Sequence, residues 1–293
     1  MLRKIIFLFS ISLFLACCMQ DKFNPTKDIN VITREQGSGT RGAFMDIFKL
    51  ELKGKNLKKD LITKQASVEN NTNTIIQTVK NDKHAIGYVS LGSANKDIKI
   101  LKVDNIYPDI ENVQNGKYTV VRNFSVIVNK SEHDNPLFNH FISFIFSNQG
   151  QEIIKKNSYI PIPNQFFSNY PTQKVKGKLI IGGSSSVSPL MEKIIEAYCK
   201  VNKDVKIELQ ISDSTIGITK TAEKVYNLGL ASRSLKDEEK TNLEEIKIAL
   251  DPIVLIVNKE NTTESLTKNE IKNIYLGNIK KWIEVTKKWT KKR

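Results

Sequence analysis

Apolar residues occur along the chain in two spacings, which predict strands followed by helices. The apolar run Ile29–Ile32 predicts a short strand, and apolar residues at helical spacing predict a helix from about Arg41 to Leu52. The same patterns predict further helices over residues 72–80, 137–146, 189–201 and 267–275. They predict further strands over residues 84–90, 98–103, 118–128, 178–181, 205–209, 228–231 and 246–257, the last as two strands interrupted near Asp251–Pro252. Strands that alternate with helices indicate an α/β fold with largely parallel sheets.

A loop rich in glycine and hydroxyl side chains, Thr33–Arg41, joins the first predicted strand to the first predicted helix. Backbone N–H groups in such a turn point at one spot, and the partial positive charge of a helix N-terminus favours an anion there. Ser38 and Thr40 add hydroxyl donors, and Arg34 adds a planar charged fork. No lysine follows Gly39 as a nucleotide P-loop requires. Taken alone, the loop fits an ordinary surface turn with a helix cap equally well.

Similar serine-containing loops follow three other predicted strands, at residues 182–189, 212–217 and 232–234. In the first of them, Ser188 is predicted to cap a helix that has Pro189 at its first position. Each of these loops fits a helix cap when it is taken singly. However, open α/β sheets place ligands at the carboxyl ends of their strands, so the repetition predicts an anion site.

The N-terminus has the pattern of a secretory signal. Basic residues at Arg3 and Lys4 precede an apolar run over residues 5–16 that is too short to span a membrane. Residues 13–17 resemble a bacterial lipobox, which implies cleavage before Cys17 and lipidation of its thiol. Phe14 departs from the usual lipobox pattern, and Cys18 is an alternative lipidation site. A plain secreted protein or a buried apolar N-terminus is the competing interpretation. The polar residues 17–28 are expected to form a tether.

Charge and cysteine content add little to this picture. The formal net charge is +14, which suits an anionic ligand, but the lysines are spread along the whole chain. Cys199 is the only cysteine outside the N-terminal pair, so no disulfide framework is indicated. Residues 164–177 contain Pro171 and Gly177 and are predicted to be a linker.

Several motifs together resemble the phosphate-binding protein of bacterial phosphate-specific ABC transporters. They are Gly183–Leu190, Ala231–Ser234, Thr33–Thr40, Ile86–Ser90 and Tyr159–Pro161, and the resemblance covers nearly all of residues 29–285. It implies an α/β, two-lobed periplasmic-binding-protein (type II-like) fold, in which crossing strands join the lobes and the lobes close over phosphate.

The resemblance also implies a set of phosphate-binding residues, contributed by four loops. These are Ser185 and Ser186, Ser214, Ser232 and Arg233, and, from the opposite lobe, Arg34, Ser38, Gly39 and Thr40. Many family members carry an aspartate where Arg233 stands, and that carboxylate accepts the proton of hydrogen phosphate and so rejects sulfate. Here Asp213 or Glu35 is a candidate acceptor, while Arg233 is either a second positive fork or a surface residue.

The order of the motifs indicates a circular permutation. In the family, the loop seen here at 183–189 comes first, and the stretch like Asn278–Val285 runs directly into the stretch like Asn30–Thr40. Here that join is cut, and the linker at 164–177 joins the family's usual ends. One lobe is then expected over residues 119–257 and the other over 29–118 plus 258–293. A truncated or misassembled reading frame is the competing interpretation.

The function implied is that of a monomeric, lipid-anchored receptor on the extracytoplasmic (periplasmic) face of the cell membrane, which delivers inorganic phosphate to an ABC permease. No cofactor or metal is expected. The nearest alternative is a binding protein for sulfate or molybdate. A phosphatase or serine hydrolase has little support, because none of His84, His133 and His140 lies in a serine motif. The basic tail with Trp282 and Trp289 is expected to be a solvated helix end with core-facing tryptophan, and no nucleic-acid partner is expected.

Overall fold

A computed structural model describes residues 22–53, 58–162 and 173–286. The helices are α1 (Gly39–Phe48), α2 (Thr72–Asn81), α3 (Ile110–Gln114), α4 (Pro136–Ile145), α5 (Asn148–Lys156), α6 (Ser188–Val201), α7 (Ser214–Ala222), α8 (Lys268–Tyr275) and α9 (Ile283–Thr286). The strands are β1 (Asn30–Arg34), β2 (Glu51–Lys53), β3 (Lys58–Asp60), β4 (Ser67–Glu69), β5 (Ala85–Ser90), β6 (Ile98–Ile100), β7 (Lys102–Val103), β8 (Val121–Asn129), β9 (Gly177–Ser184), β10 (Val205–Ser212), β11 (Leu228–Ala231), β12 (Leu243–Asn258) and β13 (Ser265–Leu266).

Some sequence-based predictions fall on residues outside this set. They are the signal peptide, Cys17 and Cys18, the first part of the tether, Trp289, and residues 164–172 of the linker. Within the residues that the structure describes, none of the helices combines the length and the apolar character that a bilayer crossing needs.

The main sheet has the strand order β10-β9-β11-β8-β12-β5-β1-β4, and β6 also pairs with β12. The pairs β10–β9, β9–β11, β5–β1 and β1–β4 are parallel. Strands β8 and β12, by contrast, are antiparallel to each other and to every other strand that they pair with. The sheet is therefore mixed, and the expectation of largely parallel sheets is wrong, because these two strands run through its middle against their neighbours.

The long strand β12 connects the two halves of this sheet. Its first part pairs with β8 as far as Pro252, which lies opposite Val121, and its second part pairs with β5 from Ile253 onwards. The predicted interruption near Asp251–Pro252 is wrong. Proline is tolerated in the strand because Pro252 lies where β12 changes its pairing partner, so the missing N–H interrupts neither ladder.

Two large apolar cores lie on the two sides of this crossing. We call the half around Phe44, Tyr88 and Trp282 the first lobe, and Ile253, Leu255 and Val257 of β12 pack into its core. The half around the α4–α6 helices and strands β9 and β11 is the second lobe, and it includes Ile248 and Ala249 of β12. Because β12 pairs with β8 in the second lobe, with a bulge between Lys247 and Ala249, and with β5 in the first lobe, the strand joins one lobe to the other.

Helix α1 ends earlier than its apolar pattern predicts. The prediction extended it to Leu52, whereas the helix ends at Phe48 and the chain enters β2 at Glu51. The reason is that Lys49 adopts the left-handed conformation, with φ of 53°, which closes the helix. Leu50 then turns into the core and is fully buried.

The two ends of the described chain lie side by side in the first lobe. Asp28 forms an antiparallel bridge with Lys281, and the backbone N–H of Ile283 donates to the carbonyl of Pro25 at 2.6 Å. Phe23 stacks on His84, with 5.5 Å between ring centroids. Trp282 is fully buried, which confirms the expectation of a core-facing tryptophan near the C-terminus.

Candidate functional site

The loop between β1 and α1 places the first group of predicted site residues. Ser38 is the N-cap of α1, and its Oγ accepts a hydrogen bond from the backbone N–H of Arg41 at 3.3 Å. This cap fixes the start of the helix, so Gly39 and Thr40 form its first turn. Gly39 and Thr40 are buried together with Ser38.

The loop after β9 places the serines of the second lobe. Ser186 donates its backbone N–H to Ser184 Oγ at 3.3 Å. The structure corrects the predicted role of Ser188, because Val187 is the N-cap residue of α6 and Ser188 is its first residue. The Ser188 hydroxyl instead donates to the carbonyl of Ser184 at 3.0 Å, which ties the loop to the helix start.

Two further serines join this loop from neighbouring elements. Ser214 begins α7, and Ser232 follows β11. The backbone N–H of Ser232 donates to Ser214 Oγ at 3.0 Å, and Ser184 Oγ lies 2.9 Å from Ser232 Oγ. All three residues are buried. Because β9 and β11 are neighbours in the sheet, their carboxyl ends bring these serines together, as the predicted arrangement required.

Side chains of the two lobes meet directly at this point. Arg34 Nη2 in the first lobe donates to Ser185 Oγ in the second lobe at 3.1 Å. The hydroxyls of Thr40 and Ser186 lie 2.7 Å apart across the same boundary. The structure therefore brings these four predicted residues, two from each lobe, into one hydrogen-bonded group.

Gly39 completes the contact through the absence of a side chain. A Cβ atom at this position would lie 2.3 Å from Ser214 Oγ and 2.6 Å from Ser232 Oγ. Both distances are shorter than van der Waals contact allows. Glycine is thus the residue that lets the start of α1 pack against the serines of the second lobe.

Thr72 belongs to the same group but was missed from the sequence. Its Oγ1 accepts a hydrogen bond from Arg34 Nη1 at 3.3 Å and lies 3.3 Å from Ser186 Oγ. Thr72 is the first residue of α2, which Asn71 caps in a capping box. The only local signal is the helix cap Asn71, because the short polar segment Ser67–Glu69 lacks the apolar pattern of a strand and so does not place this loop at a sheet edge.

We call the group formed by these side chains the hydroxyl cluster. Its members are Thr40, Thr72, Ser184, Ser185, Ser186, Ser214 and Ser232. Every one of them is buried. A cavity of about 420 Å³ borders the cluster at Thr72 and Ser185, and another cavity of about 550 Å³ lies beside Ser38 and Arg122.

Arg34 supplies guanidinium N–H donors to the hydroxyl cluster and is itself held in place by an ion pair. Its Nε and Nη2 donate to the two carboxylate oxygens of Glu35, each at 2.7 Å. Its backbone N–H donates to the Tyr88 hydroxyl at 3.2 Å. Burial raises the pKa of Tyr88, so this hydroxyl stays protonated. With an exposure of 2%, the Arg34 guanidinium makes strong electrostatic interactions.

The two carboxylates that were candidates for accepting a ligand proton are engaged in other ways. Glu35 binds Arg34. Asp213 is the N-cap of α7 and accepts from the backbone N–H of Ile216 at 2.9 Å. It also packs against Gly37, where a Cβ atom would lie 2.5 Å from Asp213 Oδ2. Within the described residues, neither carboxylate makes a hydrogen bond to the hydroxyl cluster.

Arg233 lies at the edge of the site rather than within the hydroxyl cluster. Its guanidinium binds both carboxylate oxygens of Glu239 at 2.8 Å and contacts Thr215 Oγ1 at 3.4 Å. Burial acts to raise the pKa of Glu239, but the hydrogen bonds from Arg233 and from the backbone of Lys236 hold it below its ordinary value. Glu239 is therefore ionised at neutral pH and neutralises Arg233.

The arrangement has the chemistry of an oxyanion site. Helices α1, α2, α6 and α7 all begin at or beside the hydroxyl cluster, and a helix N-terminus favours an anion. Hydroxyl groups and the Arg34 guanidinium add directional donors. The part of the chain that the structure describes contains no group of three or more histidine, cysteine, aspartate or glutamate residues placed to hold a metal ion.

The two lobes, the crossing strands and the buried polar cluster between the lobes define the class of two-lobed binding proteins. The sequence matches the PBP superfamily domain over residues 19–149 and 168–290. The chain therefore belongs to the PBP superfamily, as the resemblance implied.

Its relatives in this superfamily include proteins named for phosphate. It is 41% identical over 276 residues to phosphate-binding protein PstS 2 of Streptococcus agalactiae, a match that covers 93% of each chain. It is 37% identical to PstS 2 of Streptococcus pneumoniae, with 90% of each chain covered. The crystal structure of a phosphate-binding protein of a phosphate ABC transporter from Streptococcus pneumoniae superposes with a TM-score of 0.71 at 37% identity, covering 88% of this chain and 99% of that one.

Proposed function

We propose that this chain is an extracytoplasmic receptor that binds inorganic phosphate between its two lobes and delivers it to an ABC permease. The carrying observation is the contact of Arg34 with Ser185 and of Thr40 with Ser186, which joins the lobes through hydroxyl and guanidinium groups. The phosphate-binding names of the streptococcal relatives, which align over nearly the whole chain, support the same ligand. These relatives are binding proteins, so the chain is not an enzyme.

The proposed phosphate ligands are eight of the nine residues predicted from the sequence, without Arg233 and with Thr72 added. They are Ser185, Ser186, Ser214, Ser232, Arg34, Ser38, Gly39 and Thr40, to which we add Thr72. Arg233 acts at the rim of the site, where its ion pair with Glu239 weakens its electrostatic attraction for an anion. Backbone N–H groups at the helix starts and the buried hydroxyls hold the phosphate oxygens, while Arg34 contributes a charge-assisted pair.

Closure of the lobes follows from the way in which they are joined. The proposed lobes are residues 29–118 with 258–293 and residues 119–257, and β12 passes between their cores. Rotation about the crossing strands opens and closes the cleft without disturbing either core, as in other proteins with hinged domains. The closed form, with the anion desolvated, is the form presented to the permease.

The proposed location follows from the N-terminal sequence. We propose that the chain is a monomer anchored through a lipid on Cys17, with Cys18 as the alternative site, and that it faces the extracytoplasmic side of the membrane. Mass spectrometry of the native protein provides the test. A diacylglyceryl modification on the N-terminal cysteine supports the anchor, and an unmodified N-terminus elsewhere in residues 1–28 contradicts it.

The order of segments is proposed to be a native circular permutation. The Streptococcus agalactiae relative aligns over 93% of both chains, which supports a shared order, whereas the phosphate-binding protein of Staphylococcus saprophyticus aligns over 42% of this chain and 41% of its own. The adjacent ends, joined by the Asp28–Lys281 bridge, are compatible with such a cut. A tryptic peptide covering residues 157–174 of the native protein tests it, because a misassembled frame does not yield that peptide.

The test of the ligand is a calorimetric titration of the purified chain with phosphate, sulfate and molybdate. We expect phosphate to bind about tenfold more tightly than either of the other anions, a difference of about 1.4 kcal/mol. A preference for sulfate or molybdate contradicts the assignment and favours another oxyanion as the natural ligand. Hydrolysis of a phosphate ester by the purified chain revives the enzyme interpretation.

A further inference from the structure

An ion pair lies buried between the two crossing strands, beneath the hydroxyl cluster. Arg122 on β8 and Asp251 on β12 are direct partners in the antiparallel register. Arg122 Nε donates to Asp251 Oδ2 at 2.9 Å, and Nη2 lies 2.9 Å from the same oxygen. The two side chains are 3% and 0% exposed, so water contributes almost nothing to their solvation.

This pair contacts both lobes. From the first lobe, Ser90 at the end of β5 donates its hydroxyl to Asp251 Oδ1 at 2.5 Å. From the second lobe, the carbonyl of Ser232 accepts from Arg122 Nη1 at 3.5 Å. The guanidinium also lies over the Phe124 ring, 5.0 Å from its centroid. The pair is therefore connected to the hydroxyl cluster through Ser232 and to the opposite lobe through Ser90.

Stability alone does not account for such a pair. Desolvation of two charges costs several kcal/mol, and apolar residues of similar volume often serve a core equally well or better. Burial raises the pKa of Asp251 and lowers the pKa of Arg122. The charge of each residue partly offsets this effect of burial on the pKa of the other. An arginine in this place is better explained by what it positions.

We infer that Arg122 is a positioning residue for the bound oxyanion, which acts by holding the Ser232 loop against the crossing strands while Asp251 fixes its guanidinium. The inference rests on the proposed function. Ser232 is the residue of the hydroxyl cluster that contacts both Ser184 and Ser214, so a shift of its backbone displaces the proposed ligand Ser214 and the neighbouring Ser184. Arg122 also lines the 550 Å³ cavity together with the proposed ligand Ser38.

The first variant is Arg122→Lys, which keeps the charge but loses the planar fork. We expect the phosphate Kd to rise about tenfold, because lysine no longer holds the Ser232 loop against the crossing strands. Lys178→Arg is the control, since Lys178 at the start of β9 pairs with the partly exposed Glu208, and the opposite end of β9 carries the hydroxyl cluster. Its Kd should stay within about twofold of the wild-type value.

A second variant and a double-mutant cycle separate positioning from folding. Asp251→Asn keeps the shape of the side chain and an acceptor for Ser90, and we expect it to weaken phosphate binding by a smaller factor than Arg122→Lys. If Arg122 acts through Ser232, its effect on Kd shrinks when Ser232→Ala is already present. If Arg122→Lys does not fold, Asp251→Asn takes its place in the cycle.

Three outcomes overturn the inference. The first is folded variants whose Kd values match the wild type while only the unfolding temperature falls, because that is the signature of a structural role. The second is effects of Arg122→Lys and Ser232→Ala that simply add. The third is a wild-type chain that binds no phosphate, and this outcome also refutes the proposed function. The first two outcomes refute only the role of Arg122, because in both of them the wild-type chain binds phosphate.

Discussion

Thr72 shows what a single hydroxyl contributes at the centre of the site. Its Oγ1 lies within hydrogen-bonding distance of Arg34, Ser185 and Ser186 and so connects a charged group to two hydroxyls of the other lobe. Hydroxyls both donate and accept, and this lets the cluster reorganise around a tetrahedral anion while keeping every group paired. A buried polar group that loses its partner is costly, so each member of the cluster depends on the others.

The substitution Thr72→Val keeps the shape of the residue and removes the hydroxyl. We expect it to weaken phosphate binding by about 1 kcal/mol, or roughly fivefold in Kd. Calorimetry measures the change, with Thr219→Val as the control because that threonine is exposed on α7. Equal phosphate Kd values for the two variants remove Thr72 from the proposed ligands.

The site residues that could be predicted lie in loops with a distinctive local sequence, whereas the residues that were missed are placed by contacts between distant parts of the chain. Arg34 and Ser185 stand in glycine- and serine-rich loops with a recognisable local pattern, and the structure brings them together. Asp251 stands in an apolar strand, and its pairing with Arg122 depends on the register of two strands that are far apart in the sequence. No local pattern encodes that register, so the pair beneath the hydroxyl cluster became visible only in the fold.

At the scale of elements, the first turn of helix α1 packs against the second lobe, and its first residue must be small. Gly39 lies against Ser214 and Ser232, whereas Gly42, one turn later in the same helix, meets nothing closer than Arg233 Cδ at 3.8 Å. The apolar pattern of this region predicted the helix correctly but placed its end four residues too late. The left-handed Lys49 that ends it has no distinctive sequence signature, because such residues are usually glycine or asparagine.

The two glycines of α1 provide a matched pair of variants. Gly39→Ala is expected to weaken phosphate binding by about tenfold or more, because the added methyl group overlaps the serines of the second lobe and hinders closure. Gly42→Ala is expected to keep the wild-type Kd, since its methyl group makes only an ordinary contact. Alanine is the better helix former by about 1 kcal/mol in a helix interior, so Gly42→Ala should not lower the unfolding temperature of the free protein. Identical binding by both variants contradicts the proposed packing across the cleft.

At the scale of the whole molecule, the crossing strands β8 and β12 organise the protein. They separate two apolar cores and carry the Arg122–Asp251 pair, and β12 extends from one core into the other. The alternation of strands and helices predicted an α/β fold, but not that these two strands reverse the direction of the sheet. Strand direction is set by the path of the chain through space, which residue patterns do not specify.

A crystal structure of the chain grown with phosphate is the decisive test of binding between the lobes. We expect one phosphate in the cleft, with its oxygens in hydrogen-bonding distance of Arg34, of Ser185 or Ser186, and of Thr40. A phosphate bound elsewhere on the surface, or density for the anion beside Arg233 and Glu239 instead of in the hydroxyl cluster, contradicts it.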